Sequence, residues 1–493
     1  MRVLLLCDGG GSLGVGHVIR SLALAEAAVA AGHEVVVAGH FEGSFLRAQL
    51  AAAPVEVVDV DSLGGFGPDV IHTDSYDSSW WQRGSVIISN MEDGTFGRRP
   101  ADVVVDPTLG AELRARPDDG STWLLRGSRY APMRQRVIDA RKQVERRTAD
   151  KETARSVLVV MGGTDPVALA PAAVQLLAGT GMTLDVTAIA VGENAELVRD
   201  AARDSGLSLT VVAPVDDLAA LMSDQDLVVS AAGTSVWELC CIGVPMALIW
   251  AVDNQRDGYD KVVASGAALG LGGPELGEPG RVVDGVAVSL LRTALTEPRV
   301  RARLADAGRD VVDGLGAWRV VRTWEQALRA GPAALPGSIP LAARPAGMDD
   351  ARLLWQWRND PTTRAGSRSS AEVTWDEHVG WLTASLARSD RVLLVVENAL
   401  VPVGTVRWDL EGKGEWEVSV TVAPERRGQS LARPLLHAGE VALSEMALSK
   451  GTEVTAYRAV VHVDNAASVR LFESCAYVPD LPPDPRGFMR YRK

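Results

Sequence analysis

No run of about 20 consecutive apolar residues occurs anywhere in the 493-residue sequence, so no segment reads as a membrane-spanning helix. Cysteine is scarce: Cys7, Cys240, Cys241 and Cys475 form no C-x-x-C pair and are too sparse for a disulfide framework, which suits a reducing compartment. Cys240 and Cys241 are neighbours in an apolar, helical stretch and are expected to pack in a core. An excess of basic charge is also lacking. With 50 Lys and Arg against 63 Asp and Glu, the net charge of -13 argues against a protein that coats nucleic acid by neutralising phosphates. Internal repeats and long low-complexity tracts are missing as well. The apolar opening at 1–7 is short, runs into Asp8 and a glycine cluster, and has no cleavage pattern, so it is expected to be a buried first strand rather than a secretion signal. A cytoplasmic location is the expectation.

What is present is the composition of a globular protein, and the length suggests roughly three compact lobes of about 150 residues each. In the first, short apolar runs at 2–7, 34–37, 55–58, 70–73, 86–89 and 103–105 alternate with helical patterns at 18–31 and 45–52, the rhythm of a parallel sheet with crossover helices. A charged helical stretch at 132–155 serves as connector. A second alternating series follows at 156–161, 184–190, 207–212, 227–229 and 246–250, closing with a helix at 317–329. Three prolines and two glycines within 331–340 mark a linker. Beyond it the pattern becomes α+β: helices at 351–358, 375–387, 431–448 and 467–473, and strands at 392–397, 403–409, 415–422 and 454–463. The expected domains are 1–150, 151–330 and 338–493.

Three strand-to-helix turns carry candidate chemistry. The first, from Asp8 through Gly9, Gly10, Gly11, Gly14 and Gly16 to His17, combines glycines that let backbone amides approach an anion with an imidazole at a helix start. His17 is either a general base facing the crevice beyond the strand ends or a residue that only caps or packs the helix. Met161-Gly162-Gly163-Thr164-Asp165 ends a strand and could cradle a phosphate. In the third, Gly233-Thr234-Ser235 is followed one turn later by Glu238, in an otherwise apolar stretch where a merely solvated carboxylate is out of place. The lobe at 151–330 carries no dinucleotide fingerprint, so NAD is not implied, and no metal-ligand constellation accompanies His17.

Gly14-x-Gly16-His17-x-x-Arg20, Thr73-Asp74-Ser75-Tyr76, the stretch from Gly127 to Arg134, and Met161 to Asp165 together resemble landmarks of the UDP-2,4-diacetamido-2,4,6-trideoxy-altropyranose hydrolases of pseudaminic acid biosynthesis. These are distant relatives of the GT-B glycosyltransferase that makes lipid II. The resemblance implies a GT-B-like pair of Rossmann-type lobes across residues 1–330. It implies that His17 activates water against the anomeric carbon to expel UDP, a task for a neutral imidazole acting on a good leaving group. It places Gly14, Gly16, Arg20, Gly162, Gly163, Thr164, Gly233, Thr234 and Ser235 around the UDP-sugar, Glu238 on the ribose hydroxyls, and Asn254 and Gln255 between nucleotide and sugar. Asp74 and Tyr76 either orient sugar or water or are only loop-terminal structure.

The turn Val422-Ala423-Pro424-Glu425-Arg426-Arg427-Gly428-Gln429-Ser430-Leu431-Ala432 joins a strand to a long helix and resembles the acetyl-CoA signature of GNAT N-acetyltransferases. Trp357-Arg358-Asn359-Asp360, Glu377-His378, Val403-Gly404, Asn465, Ser468 and Ala476-Tyr477 agree with it. The resemblance implies acetyl-CoA as co-substrate, held by Val420, Val422, Arg426 to Ala432, Asn465 and Ser468; by charge alone, Arg426 and Arg427 would be a solvated face. Two residues depart from the family. Ser430 stands where glycine is usual. Phe472 stands where a tyrosine usually protonates the departing thiolate, which phenylalanine cannot do, leaving water or Tyr477 to substitute. Glu377, His378 and Glu417 are candidate bases. Three functions follow as expectations: acetylation of a UDP-amino sugar combined with hydrolysis of the UDP-diacetamido sugar, a GT-B glycosyltransferase with an accessory acyltransferase, or a sugar-nucleotide-binding protein with a degenerate acetyltransferase. Nucleic acid and membrane are not expected partners, no metal is expected, and the oligomeric state is open.

Overall fold

The structure is a computed structural model that describes every residue except 11–14, 61, 62, 64, 76–85, 95, 148–152, 163, 164, 166, 279–283, 331–340, 366–369 and 399. The chain divides into two compact units, Met1–Trp324 and Glu325–Lys493. That division falls inside helix Gly316–Ala330, ahead of the proline-rich 331–340 stretch, which itself lies outside the described residues. The reason lies in the helix's last turn. Gln326 donates from Nε2 to the carbonyls of Glu473 (3.0 Å) and Tyr477 (2.9 Å), and Arg329 pairs with Glu473 at 2.7 Å.

The first unit contains two all-parallel sheets. The first has strands β1 (Arg2–Cys7), β2 (Glu34–Ala38), β3 (Glu56–Val58), β4 (Val70–Asp74), β5 (Ile87–Met91), β6 (Val103–Asp106) and β7 (Trp123–Arg126), in the order β3-β2-β1-β4-β5-β6-β7. β7 is an addition to the strands expected from the sequence. It is short, and its exposed Leu124 breaks the fully apolar run that betrays the others. The second sheet has β8 (Ser156–Val160), β9 (Asp185–Ile189), β10 (Ser208–Val212), β11 (Leu227–Ala231), β12 (Met246–Ile249) and β13 (Leu269–Gly272), in the order β10-β9-β8-β11-β12-β13. Here β13, with two glycines in four residues, is the one missed. Helices cover both faces: Val157 and Val159 enter one cluster and Leu158 and Val160 the other, so a continuous apolar run is what a doubly covered strand requires. This is the α/β, GT-B-like pair of Rossmann-type lobes expected. In each sheet the strand order reverses once, between β1 and β4 and between β8 and β11, and a crevice opens beyond the carboxyl ends there.

The second unit is built on a mixed seven-stranded sheet: β14 (Ala342–Pro345), β15 (Arg391–Asn398), β16 (Val401–Gly412), β17 (Glu415–Val422), β18 (Ala456–His462), β19 (Val478–Leu481) and β20 (Phe488–Arg492), ordered β14-β15-β16-β17-β18-β20-β19. β14, β19 and β20 were not expected from the sequence. Along β15, Val392, Leu394 and Val396 pack towards helix Ala432–Ser449, while Leu393 and Val395 pack towards helices Ala351–Asn359 and Trp375–Leu386. Among the described residues no helix is long and apolar enough to cross a membrane.

Candidate functional site

The three strand-to-helix turns singled out in the sequence follow β1, β8 and β11, strands that border the two reversal points. His17 stands in the first turn of helix Gly16–Ala30, after β1, and Asp74 is the last residue of β4, the neighbour of β1 at the reversal. They meet: His17 Nδ1 is 2.7 Å from Asp74 Oδ1, and both side chains are buried. A carboxylate at that distance requires the proton on Nδ1, which puts the imidazole lone pair on Nε2.

Arg20, one turn along the same helix, points its guanidinium into the protein. Nε lies 2.5 Å from Asp74 Oδ2 and Nη2 lies 2.7 Å from Oδ1, while Nη1 and Nη2 reach both oxygens of Asp93 at 2.8 and 2.9 Å. Its fork geometry is spent on two protein carboxylates, a role beside the contact with the UDP-sugar that the resemblance implies. Burial pushes the Asp74 carboxyl up, but the charge of Arg20 and hydrogen bonds from His17 and Arg20 outweigh it and bring it down to about 2. Asp74 is therefore an anion throughout the physiological range. Asp93, just past β5, was missed by sequence reasoning; the acidic pair Glu92-Asp93 at a strand's carboxyl end was the available signal.

Across the crevice, Ala231 ends β11 and Gly233-Thr234-Ser235 leads into helix Ser235–Ile242. A Cβ built on Gly16 would sit 3.1 Å from the Thr234 methyl, so the two turns oppose one another at contact distance. Neither helix has a side-chain cap; in the second the Val236 and Trp237 amides donate to the Gly233 and Thr234 carbonyls at 3.2 Å, so it is the amides ahead of them that could meet another acceptor. Glu238 is half-buried in the first turn of its helix. Burial raises its pKa, with Arg136 and Arg134 pulling it back. Gln255 accepts from the Ala251 amide (2.8 Å) and its amide group lies over Gly233, while Asn254 is exposed. Gly162, at φ +85°, turns the chain after β8. Asp165 then receives the Leu169 and Ala170 amides at 2.8 and 2.9 Å and so caps the following helix. Gly14, Tyr76, Gly163 and Thr164 lie outside the described residues. The Gly127 to Arg134 stretch proves architectural. Arg134 donates to Glu26 (2.7 Å) and Gln49 (2.8 Å), and Arg136 donates to Gln49 and the Asp216 carbonyl (both 2.8 Å), which ties the helices of the first sheet to those of the second.

In the second unit, β17 and β18 run parallel and are paired only over Glu415–Glu417 and Ala456–Arg458; beyond that point the ladder stops and the strands part. Glu417, opposite Arg458, stands at the apex of the wedge, and Val420 and Val422 line one arm. The turn that follows holds Gly428 at φ +76° and Ser430 at φ +57° before helix Ala432–Ser449, which has no side-chain cap at Leu431. Arg426 and Gln429 lie on the same turn. Arg427 is bonded within the protein: its guanidinium is 2.7 Å from Asp360 and 2.6 Å from Thr363. Asn465 accepts from the Ser468 amide (3.1 Å) as the cap of helix Ala466–Ser474.

Two acid-base candidates are displaced. Tyr477 is fully buried and donates to Glu440 at 2.9 Å; burial and the Glu440 charge hold its phenol well above its usual value, so it is unsuited to protonate a thiolate. Its ring packs edge-on against that of Phe472, with 5.0 Å between the centroids. Glu377 is spent on a capping box, accepting from Thr374 N and Oγ1 at 2.8 Å, and those bonds lower its pKa. His378 is buried beside Trp375 and Trp381, and burial lowers its pKa and keeps the ring neutral.

Residues 341–478 match the family described as the acetyltransferase (GNAT) domain. Over 433 residues the chain is 21% identical to an uncharacterized protein of Methanocaldococcus jannaschii, covering 82% of this chain and 83% of that one. Over 346 residues it is 25% identical to the spore coat polysaccharide biosynthesis protein SpsG of Bacillus subtilis, covering 65% of this chain and 96% of that one. Among solved structures, MurG of Acinetobacter baumannii aligns at 15% identity and a TM-score of 0.46, over 66% of this chain and 99% of that one. The spermidine N-acetyltransferase of Vibrio cholerae with CoA and spermine aligns at 20% identity and a TM-score of 0.27, over 31% and 92%. The C-terminal domain is an acetyltransferase domain of the GNAT type.

Proposed function

We propose that the chain is a two-activity enzyme of nucleotide-amino-sugar metabolism. The GNAT domain acetylates the amine of a UDP-4-amino-deoxy sugar, and the first unit hydrolyses the resulting UDP-diacetamido sugar to free sugar and UDP, as in the making of pseudaminic-acid-like nonulosonates. The observation that carries the hydrolase reading is the buried His17–Asp74 pair at the β1/β4 reversal, facing the Thr234 turn. Asp74 fixes the Nδ1–H tautomer and stabilises the imidazolium that forms when Nε2 takes a proton from water. Gly16, Gly162, Gly233, Thr234 and Ser235 supply backbone around the diphosphate, Glu238 takes the ribose hydroxyls, and Asn254 and Gln255 line the junction with the sugar. Tyr76 is kept as a sugar-orienting candidate on the resemblance alone. The relative named for spore coat polysaccharide biosynthesis supports a sugar-assembly context.

For acetyl transfer, the parted β17 and β18 offer Val420 and Val422 backbone to a pantetheine arm. The amides at Gly428, Gln429, Ser430, Leu431 and Ala432, with Arg426, suit a pyrophosphate. Acetyl-CoA supplies the activated acyl group, and Glu417 at the wedge is the best-placed base for the incoming amine. With Phe472 aprotic and Tyr477 occupied, water protonates the thiolate. Incubation with UDP-4-amino sugars, with and without acetyl-CoA, read by mass spectrometry, tests the reading: acetylated sugar nucleotide, then UDP and free diacetamido sugar. A glycoside formed only with an added acceptor would show a glycosyltransferase instead, and binding without turnover would show a sugar-nucleotide-binding protein.

A further inference from the structure

We propose that Asp93, acting through Arg20, is a positioning residue that sets the orientation and charge balance of the His17–Asp74 pair. This rests on the reading of His17 as the base of UDP-sugar hydrolysis, and the geometry that supports it is a continuous chain: Asp93 oxygens to Arg20 at 2.8 and 2.9 Å, Arg20 to both Asp74 oxygens at 2.5 and 2.7 Å, and Asp74 to His17 at 2.7 Å.

The electrostatics give Asp93 a task. A buried Asp74 facing Arg20 alone would be fully neutralised, and His17 would sit 3.1 Å from an Arg20 nitrogen with no net anion to favour its protonation. Asp93 supplies the second carboxylate. With His17 protonated, the four groups carry two positive and two negative charges, so taking a proton from water leaves no net charge in the cluster. Without Asp93 the same protonation would leave one uncompensated positive charge in a buried place. The other ionisable groups facing the cluster do not supply this balance. Cys7 at the end of β1 is a thiol pushed up to about 12 by burial, and His72 on β4 is held neutral by burial, its pKa lowered to about 4. Asp8 pairs with His40, and Arg99, whose guanidinium donates to the Ser75 carbonyl next to Asp74, adds positive charge and not the negative charge that is needed. Geometry matters equally: the planar Arg20 fork holds the Asp74 carboxylate at one angle, and Asp93 holds the fork.

The test is Asp93→Asn in the full chain, with the imidazole of His17 followed by NMR on histidine-labelled protein and assigned by its loss in His17→Gln. The expected result is a titration midpoint lower by about half a unit to one unit. UDP release should lose about three- to tenfold in kcat, with KM within about twofold and the acid limb of the pH profile moved the same way. Asp93→Glu should recover most of both. Asp93→Ser is the second charge-removing variant should the asparagine protein fail to fold. A folded charge-removed variant whose His17 midpoint stays within about 0.1 unit of wild type overturns the proposal. If the wild-type protein releases no UDP, the hydrolase reading fails, yet the NMR titration still decides whether Asp93 governs His17.

Discussion

The crevice at His17 and the turn before helix Ala432–Ser449 both present an uncapped helix start, yet they are held in shape by different forces. At the crevice, buried charge does the holding: Asp74, Arg20 and Asp93 lock the imidazole through side-chain bonds of 2.5–2.9 Å. At the turn, backbone conformation does it, with Gly428 and Ser430 in the left-handed region and Arg427 tied back to Asp360 and Thr363. Elsewhere in the chain, Asp217, Asp284, Thr374 and Asn465 cap their helices with side chains. The helices that start after Gly43, Gly192 and Val252 carry no side-chain cap either, so an open start alone does not mark a site and the difference lies in what holds the neighbouring groups. Single substitutions should therefore act strongly in the crevice and weakly in the turn.

The largest effect expected is from His17→Ala, which removes the proposed base. UDP release should fall by about 10²- to 10⁴-fold while UDP and acetyl-CoA affinities stay near wild type, as measured by turnover and calorimetry. Near-normal UDP release would remove His17 from the chemistry and break the comparison at its stronger end. Next is Glu238→Ala, which should weaken UDP binding by about 1.5 to 3 kcal/mol if the carboxylate accepts ribose hydroxyls. Unchanged affinity in calorimetry would return Glu238 to a structural role beside Arg136.

How much of this was legible depended on the kind of force. Doubly buried strands such as β1 and β11 read directly as unbroken apolar runs, and the strand-to-helix turns were marked by glycine. β7, β13, β14, β19 and β20 were not seen, being short, interrupted by polar or glycine residues, or at a sheet edge. In the sites, local motifs named His17, Asp74 and Glu238. What Arg20 and Arg427 bond to is a long-range matter: their partners lie 73 and 67 positions away, and a basic residue in an anion-binding motif reads the same whether it faces a phosphate or a carboxylate. The Gln326 bonds to Glu473 and Tyr477, about 150 positions distant, were invisible for the same reason.

Acid should distinguish the two regions by a smaller margin. The Asp74 carboxyl is brought from 3.8 to about 2 in the folded chain, so its stabilisation is fully present above the unfolded value near 4 and is lost as pH falls towards 2. The amount is about 2 kcal/mol for a shift of this size. Urea unfolding of the first unit, followed between pH 5 and 2, should show that loss, and Asp74→Asn should flatten it. An unchanged slope in that variant would mean that Asp74 is not the group responsible.

The smallest effect expected is at Ser430, and it tests the turn's side of the comparison most directly. Ser430 holds φ +57°, a conformation that costs a residue with a Cβ roughly 1 kcal/mol and glycine almost nothing. Its side chain is exposed, so little packing is lost when it is removed. Glycine also gains freedom in the unfolded chain, which offsets part of the relief. Ser430→Gly should therefore stabilise the second unit by about 0.5 kcal/mol, a rise of roughly 1 to 2 °C in its thermal transition. Ser430→Ala, with the same strain and no hydroxyl, should give no gain. Acetyl-CoA affinity should change by less than about threefold in either variant, because the proposed ligands here are amides that both variants keep. If glycine destabilises the unit, or if alanine alone abolishes acetyl-CoA binding, the hydroxyl has a specific role and the turn is governed by side chains as the crevice is.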